Sequence, residues 1–366
     1  MGFLSAQLEL AMHNTTRRTF LRAAGVTLAL PLLESLAPKL RAGEKSSVPR
    51  RMVCIQTNQG IMPQFFFAVG YALRLVLLRN REKLGVGPAY RRAIRRIALL
   101  IALGFLLYNL NWDYLTIESF TDPKLRSFAE MSFWRDTFQT LVHIGVTCLW
   151  VLPVIAAPPR VRVAFAVGTG LLHLGLSHWF WYDLLQAKKV IDGGPLGFLT
   201  WALPVLAGTV AFDWWRDLGP RGALKPLLVW GLVVMALGYG LSCLGRGGPL
   251  ASPPFWPPRG PVDLWTMSQR AGSLPYQTFA SGLSLAMYAA FVWACDIKRI
   301  KIGLFTIFGQ NALAAYLLHS LLDVPFSLMK QKDASLILAM GVIVLFLIAN
   351  AGVVAFLNRR GWFLRL

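Results

Sequence analysis

The feature that most constrains this chain is a series of long apolar runs almost free of charge. From Ile61 onward such runs fall at about 61–78, 97–112, 138–157, 161–180, 197–214, 224–244, 278–295, 302–322 and 334–357. Runs of this length match the roughly 30 Å hydrocarbon core of a bilayer, which about 20 helical residues span. Barrel strands would alternate apolar and polar residues over about 10 positions, and these runs are continuously apolar. The fold class expected is therefore all-α: a polytopic helical bundle of about nine transmembrane helices, preceded by an N-terminal segment.

Composition agrees. Charged residues make up only 15% of the chain and apolar residues 55%, whereas a soluble domain carries about 25% charge. The formal charge of +20 does not point to nucleic acid, because the basic residues lie in short segments between apolar runs, where they orient helices. With the N-terminal segment crossing once from the cytoplasm, every internal segment is basic: Arg79 to Arg96, Arg160 with Arg162, Arg216 to Lys225, Lys298 to Lys301, and Arg359 onward. The long segments 113–137, 181–196 and 245–277 are then external, and long ordered loops are where binding resides. Membrane lipid is the partner this implies. Cys54, Cys148, Cys243 and Cys295 are far apart and set up neither a disulfide framework nor a zinc site. No H-E-x-x-H, C-x-x-C or G-x-x-x-x-G-K-[ST] occurs, so no metal is expected.

Residues 1–60 differ in kind. Thr16-Arg17-Arg18-Thr19-Phe20-Leu21-Arg22 precedes the short apolar stretch Ala23 to Leu33, which is too short for a span and suits a signal h-region. The motif resembles a twin-arginine export signature. Two divisions follow: 1–60, a signal or anchor with an external linker, and 61–366, the polytopic domain. The cell location expected is a bacterial inner (cytoplasmic) membrane, with the long loops outside.

Ionisable side chains inside apolar runs are candidates for function because burying them in lipid is costly. His143, His173, His178 and His319 all fall in the external halves of their helices, where histidine can serve as nucleophile or general base. Neutral histidines bonding between helices would look the same. Gln139 and His143 are four apart and share a helix face. Arg74 interrupts the first run; its head can snorkel to the cytoplasmic interface, or it contacts an anionic cofactor entering from that side.

Four segments, in order, carry a resemblance to a known family. They are Phe65-Phe66-Phe67-Ala68-Val69-Gly70, the stretch from Asp192 to Pro204, Leu264-Trp265-Thr266-Met267-Ser268, and Gly309-Gln310-Asn311-Ala312-Leu313 with Tyr316 and His319. Together they resemble the transmembrane acyltransferases related to heparan-alpha-glucosaminide N-acetyltransferase, over residues 61–325. The resemblance implies that acetyl passes from cytosolic acetyl-CoA to an external sugar or glycan acceptor. It implies acceptor contacts at Asn311, Asp192, Trp265 and Gln139, a cofactor contact at Arg74, and catalysis by His319, His143 or His178. In the family a histidine segment precedes the F-x-F-x-x-G span. Here Cys54-Ile55-Gln56-Thr57-Asn58-Gln59-Gly60 stands in that place and has no histidine, which leaves a degenerate or non-enzymatic membrane protein as the alternative. Residues 16–67 resemble instead the opening of a different exported bacterial family, so the N-terminus reads as fused or rearranged.

Overall fold

A computed structural model describes residues 63–109, 134, 137–188, 190–245, 251–252, 254, 262–300, 303–327 and 336–363. The expected signal or anchor, residues 1–60, lies outside them, as does most of the expected loop 113–137. Among the described residues the structure is helical, with no strand. The helices are α1 (Pro63–Leu84), α2 (Val86–Asn109), α3 (Thr140–Val151), α4 (Pro159–Leu176), α5 (Tyr182–Ala187), α6 (Phe198–Ser242), α7 (Leu274–Phe291), α8 (Gly303–Gln310), α9 (Ala312–Ser327) and α10 (Leu336–Arg359). A π-helical turn, Ser177–Trp181, joins α4 to α5, and another, Val292–Ile297, extends α7.

Among the described residues, four helical segments are long and apolar enough to cross a membrane: Pro159–Ala187, Gly194–Ser242, Leu274–Ile297 and Ile337–Arg359; Thr140–Val154 is a shorter apolar helix. Large apolar side chains cover their outer surfaces, among them Val163, Val167 and Leu171 on α4, Leu232 and Leu237 on α6, and Leu347 and Ile348 on α10. Apolar surface on this scale belongs against lipid. The chain is a multi-pass helical membrane protein.

The chain divides into two compact units. The smaller contains, among its described residues, 307–327 and 336–363, where α9 packs on α10. The larger holds α1 to α7, and the division falls within α8. There α6 is the hub, packed on α7, α1, α3 and α4. It is not one straight rod. Gly219 has φ 68° and ψ 174°, a conformation open to glycine and closed to residues with a β-carbon, and Pro220 follows it. The arms 198–218 and 220–242 are each long enough to span a bilayer. Contacts fix their directions. Thr200 bonds the Gly272 carbonyl at the head of α7, while Gly238 packs on Phe279 and Gly231 on Gly282. The first arm runs with α7 and the second runs against it, so α6 is a hairpin. The two apolar runs expected at 197–214 and 224–244 are these arms.

Lipid supplies no hydrophobic drive between helices, so close packing must hold them. At the α1–α6 crossing a β-carbon on Gly70 would run into the Val205 carbonyl, and one on Gly208 into the Phe67 carbonyl. Each glycine thus seats the other helix's backbone. Phe66, Trp201, Ala202 and Val205 fill the core above this crossing; Phe67, Ala211, Ala223 and Leu227 fill it below.

One expected loop is partly helical. Residues 182–187 continue the α4 segment as α5, because Leu185 is buried beside Trp181 and Val190 and that anchor favours a further turn.

Candidate functional site

His143 lies one turn into α3, where its backbone N–H donates to the Gln139 carbonyl at 2.8 Å. The helix faces α2 and α6, and the imidazole is 1% exposed. It stands over Gly197: a β-carbon there would lie 2.8 Å from both Cε1 and Nε2 of the ring. Phe66 and Trp201 flank it, with ring centroids 6.4 and 6.2 Å away. Its Nε2 is 3.2 Å from the Gly194 carbonyl. A carbonyl only accepts, so this bond requires the proton on Nε2. In the neutral ring Nδ1 is then a bare lone pair, and among the described residues it has no hydrogen-bond partner.

The carbonyl that sets this tautomer belongs to a tight turn. Asp192, Gly193 and Gly194 all have positive φ, at 54°, 81° and 58°. The turn is tied from several sides. Gly193 N–H donates to the Arg270 carbonyl at 2.9 Å, and Trp201 Nε1 donates to the Asp192 carbonyl at 2.8 Å. Gln269 Nε2 donates to Asp192 Oδ1 at 3.2 Å. Asp192 is 3% exposed, a carboxylate held inside the protein. A β-carbon at Gly193 would sit 2.8 Å from Gly197 Cα. Gly193→Ala is therefore expected to cost about 1–3 kcal/mol, read as a lower midpoint of thermal unfolding in nanodiscs.

The segment carrying Trp265 is tied to this turn through Gln269. Asp263 Oδ1 accepts from the N–H groups of Trp265 and Thr266, both at 3.0 Å, an Asx turn that settles the loop. Ser273 Oγ donates to the Thr266 carbonyl at 2.8 Å and accepts from Ser268 N–H at 3.0 Å. Trp265 is half-buried here.

A second polar centre lies lower on α6. Asp213 pairs with Arg74 Nε at 2.7 Å and, through its other oxygen, with Arg162 Nη2. Arg74 Nη1 also donates to the Ile155 carbonyl. Arg162 donates to the Ala157 carbonyl at 3.0 Å and to Thr209 Oγ1 at 2.5 Å. Arg216, 45% exposed at its side chain, approaches Asp213 at 3.7 Å. Arg74 turns inward, not outward to an interface. From Trp201 to Asp213 is roughly 18 Å along the helix at 1.5 Å per residue, so Arg74 is not part of the His143 site.

Of the residues singled out from sequence, Gln139, His143, Asp192 and the loop of Trp265 come together. His178 is exposed on the π-helical turn. Asn311 belongs to the 307–363 unit, between α8 and α9; its buried amide has no hydrogen-bond partner among the described residues. His319 is on α9, but its side chain lies outside the described residues. Gln269, Trp201, Arg162 and Asp213 carry much of the geometry and were not singled out. Asp213 had a signal: a carboxylate at the end of an apolar run needs a cation. Among the described residues no group of three or more His, Cys, Asp or Glu side chains could hold a metal. Compared with known proteins, the chain matches no family profile and no curated sequence.

Proposed function

We propose that the chain is a membrane-embedded acyltransferase of the kind related to heparan-alpha-glucosaminide N-acetyltransferase, with His143 as its base. The observation that supports this most is the Nδ1 lone pair of a buried histidine whose tautomer is set by Gly194. The acceptor's amine or hydroxyl attacks the acetyl thioester carbonyl of acetyl-CoA. The new C–N or C–O bond forms, the C–S bond breaks, and the acceptor proton passes to Nδ1 and on to the departing thiolate. Gln139 and Asp192, beside His143, are read as acceptor contacts, and the loop of Trp265 joins them through the Gln269–Asp192 bond; Asn311 and His319, in the 307–363 unit, and the exposed His178 are further candidates, each on its own. Arg74 and its neighbours supply positive charge for an anionic donor, whose long flexible arm bridges the interval along α6. The reading includes about nine crossings after an N-terminal twin-arginine-type segment, with the long loops outside a bacterial inner membrane.

The test uses purified protein in nanodiscs with labelled acetyl-CoA and a hexosamine. The expected result is acetylated acceptor, and His143→Ala lowers the rate about 100-fold or more, the usual weight of a positioned base. Unchanged turnover in His143→Ala would overturn the role of that residue. The missing histidine at 54–60 favours the second reading, a non-enzymatic membrane protein; transfer absent in the wild type would establish it.

A further inference from the structure

Behind the Gly193–Gly194 turn is a small, partly open space that the proposed transfer does not use. Its volume is about 10 Å³, and His173, Ser177, Tyr182, Leu185, Ala271 and Leu274 line it. That is room for one water-sized group. The two sites share a wall. Gly194 accepts from His143 through its carbonyl, while a β-carbon on it would lie 3.6 Å from Leu185. A β-carbon on Gly193 would lie 3.3 Å from the Ala271 carbonyl.

One polar atom here is left without a partner by the described residues. His173 is 3% exposed. Its Nδ1 stands 3.4 Å from Ser177 Oγ, and its Nε2 has no hydrogen-bond partner among the described residues. The Tyr182 hydroxyl borders the same space, with the Gln186 side chain one turn further on as its neighbour. An unpaired buried polar atom costs about 1–3 kcal/mol. Such an atom at a cavity that also carries hydroxyls is a site for an O–H group, which can bond the ring nitrogen and a hydroxyl beside it.

We infer that His173, Ser177 and Tyr182 form a binding site for a single hydroxyl-sized group, supplied by a water molecule or by the hydroxyl of a sugar. The loop 264–274 borders the site, so an occupant there also braces the wall behind His143.

The test uses full-length protein in nanodiscs. In radiolytic footprinting, hydroxyl radicals formed from a bound water oxidise buried side chains next to it, and a sugar hydroxyl that takes the water's place removes that signal. Leu185 and Leu274 should be oxidised in the wild type despite their burial, and several-fold less in Tyr182→Phe and His173→Phe. The sources separate on adding D-glucosamine. A saturable rise in the unfolding midpoint, with loss of Leu185 oxidation and with both effects absent in Tyr182→Phe, assigns the group to a sugar. Oxidation without any response to glucosamine assigns it to water. If His173→Phe does not fold, Tyr182→Phe and Ser177→Ala each remove one hydroxyl and carry the comparison. Unoxidised Leu185 and Leu274 together with no glucosamine response in the folded wild type would overturn the site.

Discussion

Asp213→Asn is expected to lower the stability of the protein by about 3–5 kcal/mol, the cost of removing one partner from a buried ion pair. The carboxylate is 4% exposed, and the guanidiniums of Arg74 and Arg162 close on it from two helices. Without it, two cations stay inside the bundle with only carbonyls and a threonine to face. Arg216 cannot help, since it adds a third positive charge from the rim. The measurement is the monodisperse fraction in size-exclusion chromatography and the midpoint of thermal unfolding in nanodiscs. A variant that unfolds at the wild-type temperature would refute the ion cluster. A triple change, Arg74→Met with Arg162→Met and Asp213→Leu, should recover most of the loss, because well-packed apolar residues commonly match or exceed a buried charged group in stability.

Gly208→Val should come next in magnitude. The obstacle at Gly208 is the Phe67 main chain, which no rotamer change can move aside. Overpacking of a tight core costs about 1–3 kcal/mol, and here the whole α1–α6 contact must open. Arg74 lies one turn beyond Gly70 on α1, and Asp213 follows Gly208 on α6, so separating the helices also stretches their 2.7 Å pair. The losses from Gly208→Val and Arg74→Met should therefore not add. A double-mutant cycle on the unfolding midpoint checks this, and simple additivity would show that crossing and ion pair are independent.

The helices were legible where the apolar runs were long. The expected spans 161–180, 278–295 and 334–357 fall within the helical segments Pro159–Ala187, Leu274–Ile297 and, but for its first three residues, Ile337–Arg359. The earlier runs did form helices, but α1 contains Arg74 and α2 opens with Arg91, Arg92, Arg95 and Arg96. Neither is apolar enough to count as a span on composition alone. Charges at the ends of runs were harder to place. Arg162 was counted as an interface charge, yet it is fully buried. A basic residue at a helix end looks the same in sequence whether it reaches outward or turns in. The histidines show the same limit: His143, His173 and His178 share one sequence context, and only packing separates a ring buried between helices, a cavity wall and an exposed ring. The Gly194 carbonyl that orients His143 is main chain, and no residue type announces it. Asp192 was legible through its motif, though its tie to Gln269 was not.

The hairpin within α6 bears on how the bundle assembles. Its arms are joined by one non-helical residue, Gly219, so the chain has almost no loop to close before they meet, and short closures carry the smallest entropic cost. Residues 198–242 are thus expected to pair first and to act as a template in the bilayer. α1 would then seat its Gly70 face on the first arm, and α7 would align Phe279 and Gly282 against the second. On that order of events the His143 site is a late product. It is complete only when the head of α7 brings Gly272 to Thr200 and the loop before it reaches Asp192.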